Sequence, residues 1–145
     1  MLNVLPILVI SPEGEHRKRI AEAVQKCGLR PTCCGGLREA LPLLARQDFS
    51  AVFCNDTLPD GDFRAIVNEV RRASRDVPVI VLSRFAEWDA YFSAIGAGAF
   101  DYIACPPDPV ETERILLLAL AEASRLRQKV QNADSTAVIK DGAMR

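Results

Sequence analysis

The hydrophobic pattern switches repeatedly between short unbroken apolar runs and longer stretches with a helical period. Leu5–Ile10 is the first run, with Pro6 near its start, where a strand tolerates proline. Ser11-Pro12-Glu13-Gly14 reads as a turn. From Glu15 to Lys26, the residues Ile20, Ala23, Val24 and Cys27 recur at i, i+3, i+4 and i+7, which predicts a helix, and Gly28 is a natural stop. Leu29–Cys34 predicts a second strand, and Pro31 within it implies a sheet edge, because proline has no N–H to donate. Leu37–Gln47 predicts a helix with Leu37, Ala40, Leu41 and Leu44 on one face. Pro42 opposes that reading, so the helix is expected to start late or to kink.

Ala51–Cys54 is a buried strand by pattern, and it stops abruptly in Asn55-Asp56, with Pro59-Asp60-Gly61 breaking the chain beyond. Phe63–Ser74 predicts the third helix, striped by Phe63, Ile66, Val67 and Val70, with Asp62 as its cap. Pro78–Leu82 predicts the fourth strand, ending at Ser83. Phe85–Ala97 predicts the fourth helix, with Trp88, Tyr91, Phe92 and Ile95 as an aromatic stripe assigned mostly to the core. Asp101–Ala104 is the fifth strand, and the fifth helix runs from Asp108 or Pro109 to about Val130. Its core stripe is Ile115, Leu116, Ala119, Leu120, Ala123, Leu126 and Val130, which leaves Leu117 and Leu118 outside, Leu118 among Arg114, Glu122 and Arg125. Residues 131–145 carry no pattern and are expected to be a disordered tail behind a single domain of residues 1–130.

Five strand-then-helix units, with strands apolar on both faces, imply a parallel sheet covered on both sides. The expected fold is α/β: a three-layer, doubly wound sheet in the flavodoxin-like order 2-1-3-4-5, with the proline-bearing second strand at the edge. In such sheets ligands gather at the carboxyl ends of the strands, which makes Asn55-Asp56 the place to look for chemistry.

The 145 residues, 49% hydrophobic and 26% charged, suit one soluble globular domain. A net charge of −1, with the basic residues spread along the chain, gives no push toward nucleic acid or an anionic membrane. No apolar run reaches the ~18 residues of a membrane span, and Met1–Ile10 lacks the basic start of a signal peptide. Five cysteines, Cys27, Cys33, Cys34, Cys54 and Cys105, lack C-x-x-C spacing, which argues against a disulfide framework or zinc site and for a reducing cytoplasm.

Four segments taken together resemble the receiver domain of two-component response regulators. They are the strand, turn and Arg-bearing helix of Ile7–Ile20, the strand and Leu-Pro-Asp-Gly of Val52–Gly61, Pro-Val-Ile-Val-Leu-Ser at 78–83, and Gly-Ala-Phe-Asp-Tyr-Ile-x-x-Pro at 98–106. The resemblance covers about residues 5–128. It implies phosphoryl transfer from a histidine kinase to an aspartate after the third strand. An acidic pair after the first strand would hold Mg²⁺, a hydroxyl and a lysine would bind the phosphoryl oxygens, and an aromatic on the fifth strand would report the state.

Of these, Ser83 matches the hydroxyl and Tyr102 the aromatic, the two switch positions. Ser11 and Pro12 stand at the acidic pair, Cys105 at the lysine and Asn55 at the phosphoacceptor. A carboxamide is uncharged and a poor nucleophile toward phosphorus, so the resemblance is to a degenerate, or pseudo-, receiver that needs no cofactor and is not an enzyme. Asp56 is expected to point away from Asn55 and to cap the turn or face solvent. His16 is expected to be exposed. The expected function is protein–protein contact, with a partner signalling protein, an output domain or a second copy. The face of the fourth helix, fifth strand and fifth helix would carry it, and Trp88, Tyr91, Leu117 and Leu118 are its candidate residues. Two alternatives remain: a working receiver using Asp56 and Glu13 with Mg²⁺, and a thiol redox sensor through Cys105.

Overall fold

The computed structural model describes residues 5–73, 76–84 and 87–143, with side chains described to Lys129 except at 127. The elements are β1 (Ile7–Ile10), α1 (Gly14–Lys26), β2 (Pro31–Cys34), α2 (Leu37–Arg46), β3 (Ala51–Asn55), β4 (Thr57–Leu58), β5 (Gly61–Asp62), α3 (Phe63–Arg72), β6 (Val79–Ser83), α4 (Trp88–Gly96), β7 (Asp101–Ala104) and α5 (Pro109–Ala143). The main sheet is parallel in the order β2-β1-β3-β6-β7. With the tiny antiparallel pair β4–β5 set aside, this is the expected doubly wound order, and Pro31 does lie on the edge strand.

Strand alternation divides the core in two. Leu8, Ile10, Val52, Cys54 and Val81 face α2 and α3, meeting Ala40, Leu44, Phe63, Ile66 and Val70. Ile7, Val9, Phe53, Ile80, Leu82 and Ile103 face the opposite layer, meeting Ile20 and Val24 of α1 and Ile115, Leu116 and Ala119 of α5. β3 is the central strand, buried from end to end.

Several local readings differ from the pattern. α2 starts at Leu37 rather than late, and Pro42 sits inside it on the exposed side, with no N–H to give the Arg38 carbonyl. α4 buries Ala94 rather than its aromatic stripe: Trp88 is 76% exposed and Phe92 63%. α5 continues to Ala143 instead of ending near Val130, so the segment expected to be a disordered tail is helical over most of its length; no proline or glycine interrupts 131–141. At 35 residues the helix is about 50 Å long against about 17 Å for a five-residue strand. Its C-terminal half therefore outruns the sheet, and Leu126 is partly exposed. His16 is half-buried, because it precedes Ile20 by one turn on the buried stripe of α1.

Asp60 ties the layers near the strand ends. The N-cap of α2 is Gly36, which offers no side chain, and Asp60 fills the gap by accepting from Leu37 N and Arg38 N, both at 2.9 Å. Those two N–H groups hold the Asp60 carboxyl below its ordinary value. A depressed folded-state pKa stabilises the fold above the unfolded pKa, near 4, and that contribution is lost as pH falls through the folded value. Asp60→Asn is therefore expected to lower the urea midpoint at neutral pH. The gap to the wild type should close as the carboxyl protonates in acid; a gap independent of pH would contradict the charge-assisted cap.

Candidate functional site

The carboxyl ends of β1, β3, β6 and β7 bring together the residues named from the sequence. Ser11 follows β1 and is fully buried. Its backbone N–H donates to the Cys34 carbonyl at 3.0 Å, Glu13 N donates to its Oγ at 3.2 Å, and Arg17 Nη1 donates to its carbonyl at 2.8 Å. Ser11 thus closes the turn into α1. Pro12 is exposed beside it and offers no donor.

Asn55 ends β3 and is 5% exposed. Its Oδ1 is buried without a hydrogen-bond partner. Asp56 is half-buried and fully engaged: its N–H donates to the Leu82 carbonyl at 2.8 Å, Oδ1 accepts from Thr57 N at 2.8 Å, and Oδ2 accepts from Ser83 Oγ at 2.8 Å. It caps the turn, and it also occupies the hydroxyl of the switch serine. Pattern alone misses that second contact, because β6 delivers Ser83 from 27 residues away.

Two depressions flank these residues. An open cleft of about 450 Å³ is bordered by Pro12, Glu13, Asn55, Thr57, Leu58, Pro59 and Arg84. Across it Arg84 Nη2 lies 3.7 Å from Glu13 Oε1, with both side chains largely exposed. Arg84 escaped the sequence reading; its signal is that it directly follows a hydroxyl at a strand end. A second depression of about 180 Å³ has Asp56, Phe63, Val81, Ala94 and Tyr102 in its wall. The two depressions adjoin at Thr57, and the Asp56 and Glu13 carboxylates both act on Cys105. The Tyr102 ring packs edge-on against Tyr91 of α4, with centroids 6.1 Å apart. Arg64 Nη2 donates to Ser93 Oγ at 3.0 Å, linking α3 to α4 beside it.

Cys105 is half-buried at the end of β7, and its N–H donates to the Ser83 carbonyl at 2.7 Å. Burial, then the Asp56 and Glu13 carboxylates, push its thiol up to about 11 against a partial opposing effect of Arg84. Cys34 is likewise pushed up to about 11, and Cys27, Cys33 and Cys54 are raised, burial being the largest cause in each. None gains the thiolate character that marks a reactive cysteine. On the outer face Leu117 and Leu118 are 56% and 50% exposed, and Trp88 stacks on Phe92 with centroids 6.0 Å apart. Tyr91 is half-buried between Trp88 and Tyr102.

Comparisons with known proteins bear on the family and the fold. A family profile described as the response regulator receiver domain matches residues 7–117. The regulatory protein AtoC of Escherichia coli K12 is 30% identical over 120 residues, covering 83% of this chain and 26% of that protein. The response regulator protein PilR of Pseudomonas aeruginosa is 26% identical over 113 residues, covering 78% and 25%. The chain thus spans about a quarter of the length of these relatives. Among solved structures, the chemotaxis response regulator CheY4 of Vibrio cholerae aligns with a TM-score of 0.74 at 18% identity, covering 81% of this chain and all of that one. The beryllofluoride-activated NtrC4 receiver domain dimer aligns at 0.75 and 23% identity, covering 81% and 98%. Its fold, its strand order and the profile match over residues 7–117 place this chain in the response regulator receiver domain family.

Proposed function

We propose that this chain is a pseudo-receiver: a cytoplasmic two-component signalling module that is not phosphorylated on aspartate and acts through protein contacts rather than as an enzyme. The observation that carries the reading is Asn55, a buried carboxamide at the position of the phosphoacceptor. The residues around it do not fit Mg²⁺, a hard cation that takes several oxygen ligands, carboxylates foremost. Ser11 is committed to the backbone, Pro12 has no ligand atom in its side chain, and Glu13 is paired with Arg84. Cys105 offers no positive charge where a phosphoryl group would need one.

The reading with Asp56 as acceptor has one observation in its favour, the contact with Ser83, and one against it: both Asp56 oxygens already accept hydrogen bonds. The redox reading is opposed by the raised thiols. No described helix is long and apolar enough to cross a membrane. The contact surface is the face of α4, β7 and α5, where Trp88, Phe92, Leu117 and Leu118 expose apolar area. The partner is a signalling protein, an output domain or a second copy; the NtrC4 receiver likeness is to a dimer. No direct nucleic-acid contact is proposed.

Acetyl phosphate with Mg²⁺ is expected to leave the intact mass unchanged. Asn55→Asp alone is expected to remain unmodified, because the metal ligands and the lysine are still missing. A phosphate adduct on the wild type that Asp56→Asn abolishes would overturn the proposal. On the contact face, Trp88→Ala with Leu118→Ser is expected to leave folding stability within about 0.5 kcal/mol for each site. Where the partner is a second copy, the same pair should weaken self-association in sedimentation; self-association unchanged by the pair would exclude a second copy as the partner of this face.

A further inference from the structure

We propose that the exposed aromatic face of α4 docks a basic, arginine-bearing amphipathic segment of a partner protein. The inference rests on the reading that this face acts by protein contact, and it names the chemistry of the partner. Trp88 and Phe92 are 76% and 63% exposed, and their rings stack with centroids 6.0 Å apart at 27°. Tyr91 meets Trp88 edge-on at 6.0 Å and itself rests on Tyr102 of β7 at 6.1 Å. The two outer rings are thus braced from beneath, as a fixed apolar platform on the surface, and such platforms mark interaction sites.

The charges around the platform say what covers it. The chain from Glu87 to Glu113 carries Glu87, Asp89, Asp101, Asp108, Glu111 and Glu113 but no Lys or Arg. Two of these are spent elsewhere: Asp108 Oδ2 accepts from Glu111 N at the start of α5, and Glu113 acts on Cys27 of α1. Glu87, Asp89 and Glu111 are exposed and Asp101 is half-buried, and none of the four is in an ion pair among the described residues. Glu87 and Asp89 flank Trp88 in the chain, and Asp89 precedes Phe92 by one helical turn. The cations nearby are mostly committed. Arg64 is engaged with Asp62 and Ser93, Arg84 with Glu13, and Arg125 with Glu122. Arg71 lies against Gly98, beyond the opposite end of α4 from Trp88. Arg114 stands on α5 in the turn before Leu117 and Leu118. The face is therefore aromatic and acidic, within a chain whose net charge is only −1.

A second copy is the poorer occupant. It brings the same carboxylates to the seam and only Arg114 to set against them, and like charges brought together oppose association. A basic segment removes that conflict. Its guanidinium groups pair with Glu87 and Asp89, and the planar guanidinium also stacks on an exposed indole or phenyl ring, which ammonium does less well. Its apolar residues cover the remaining ring area and the neighbouring Leu117 and Leu118, which are 56% and 50% exposed. Aromatic area and uncompensated negative charge on one face thus ask for the same partner chemistry.

The test titrates the wild-type chain, without Mg²⁺ or a phosphodonor, with a designed amphipathic helical peptide of Leu and Arg. Trp88 is the single tryptophan, so its emission reports the face directly. A saturable change in emission is expected, weakening as salt is raised, and the Leu–Glu peptide of the same pattern should give none. Glu87→Gln with Asp89→Asn should weaken binding by about tenfold. Phe92→Ala, which keeps the reporter, should weaken it as well. Glu15→Gln with Glu22→Gln, exposed on α1, should leave binding unchanged, and circular dichroism should show every variant folded. No saturable change overturns the proposal. So does equal binding of the Leu–Glu peptide, binding indifferent to the α4 variants, or equal weakening by the α1 pair. A dimer of the chain that the peptide fails to displace from this face names a second copy and overturns the partner class. All of these outcomes leave the pseudo-receiver reading standing, whereas a phosphate adduct with acetyl phosphate and Mg²⁺ overturns that reading and not this one.

Discussion

The burial of β3 on both faces governs what its last residue is able to be. Ala51 to Cys54 have no face turned to water, Asn55 is 5% exposed at the border of the open cleft, and the neighbouring strands β1 and β6 close both edges. A carboxylate at the end of such a strand needs cations close by, since an unpaired buried charge is far costlier than a buried amide. In a phosphorylated receiver, the resemblance supplies those cations as Mg²⁺ and a lysine. Here Ser11, Pro12 and Cys105 stand where their ligands and the lysine would be. Asn55 is the residue consistent with that surrounding. On the pseudo-receiver reading, the four departures together leave the strand end without its carboxylate, its metal ligands and its lysine.

The same burial decides how much of the molecule could be read from its sequence. Strands sheathed on both faces appear as unbroken apolar runs, so their number, their order and the edge position of Pro31 were legible. The α4 aromatics misled because hydrophobicity says that a stripe is apolar, not which of two apolar stripes is narrow enough to seat on the sheet. Ala94 lies inward and Trp88 outward. The contacts of Asp60 with Leu37 and Arg38, of Asp56 with Ser83, and of Glu13 with Arg84 join residues far apart in sequence. No local pattern encodes them. The site residues could be named from the family resemblance, but their mutual bonding could not.

What remains at the strand ends is an ordered polar surface rather than a vacant relic. Asp56 holds the hydroxyl of Ser83, Tyr102 packs on Tyr91, and Arg64 reaches Ser93. These contacts link the turn after β3 to α3 and α4, and through Tyr91 to the exposed ring of Trp88. Under the proposed function, signalling depends on contacts at the outer face rather than on a covalent mark.

The most direct test is a crystal structure of the chain soaked with Mg²⁺ and beryllofluoride. The account predicts no beryllofluoride on Asn55 or Asp56, no metal beside Ser11, and the Asp56–Ser83 hydrogen bond in place. Beryllofluoride on the Asp56 carboxylate, with Mg²⁺ held by Glu13 and Ser83 turned toward the fluoride, would contradict it.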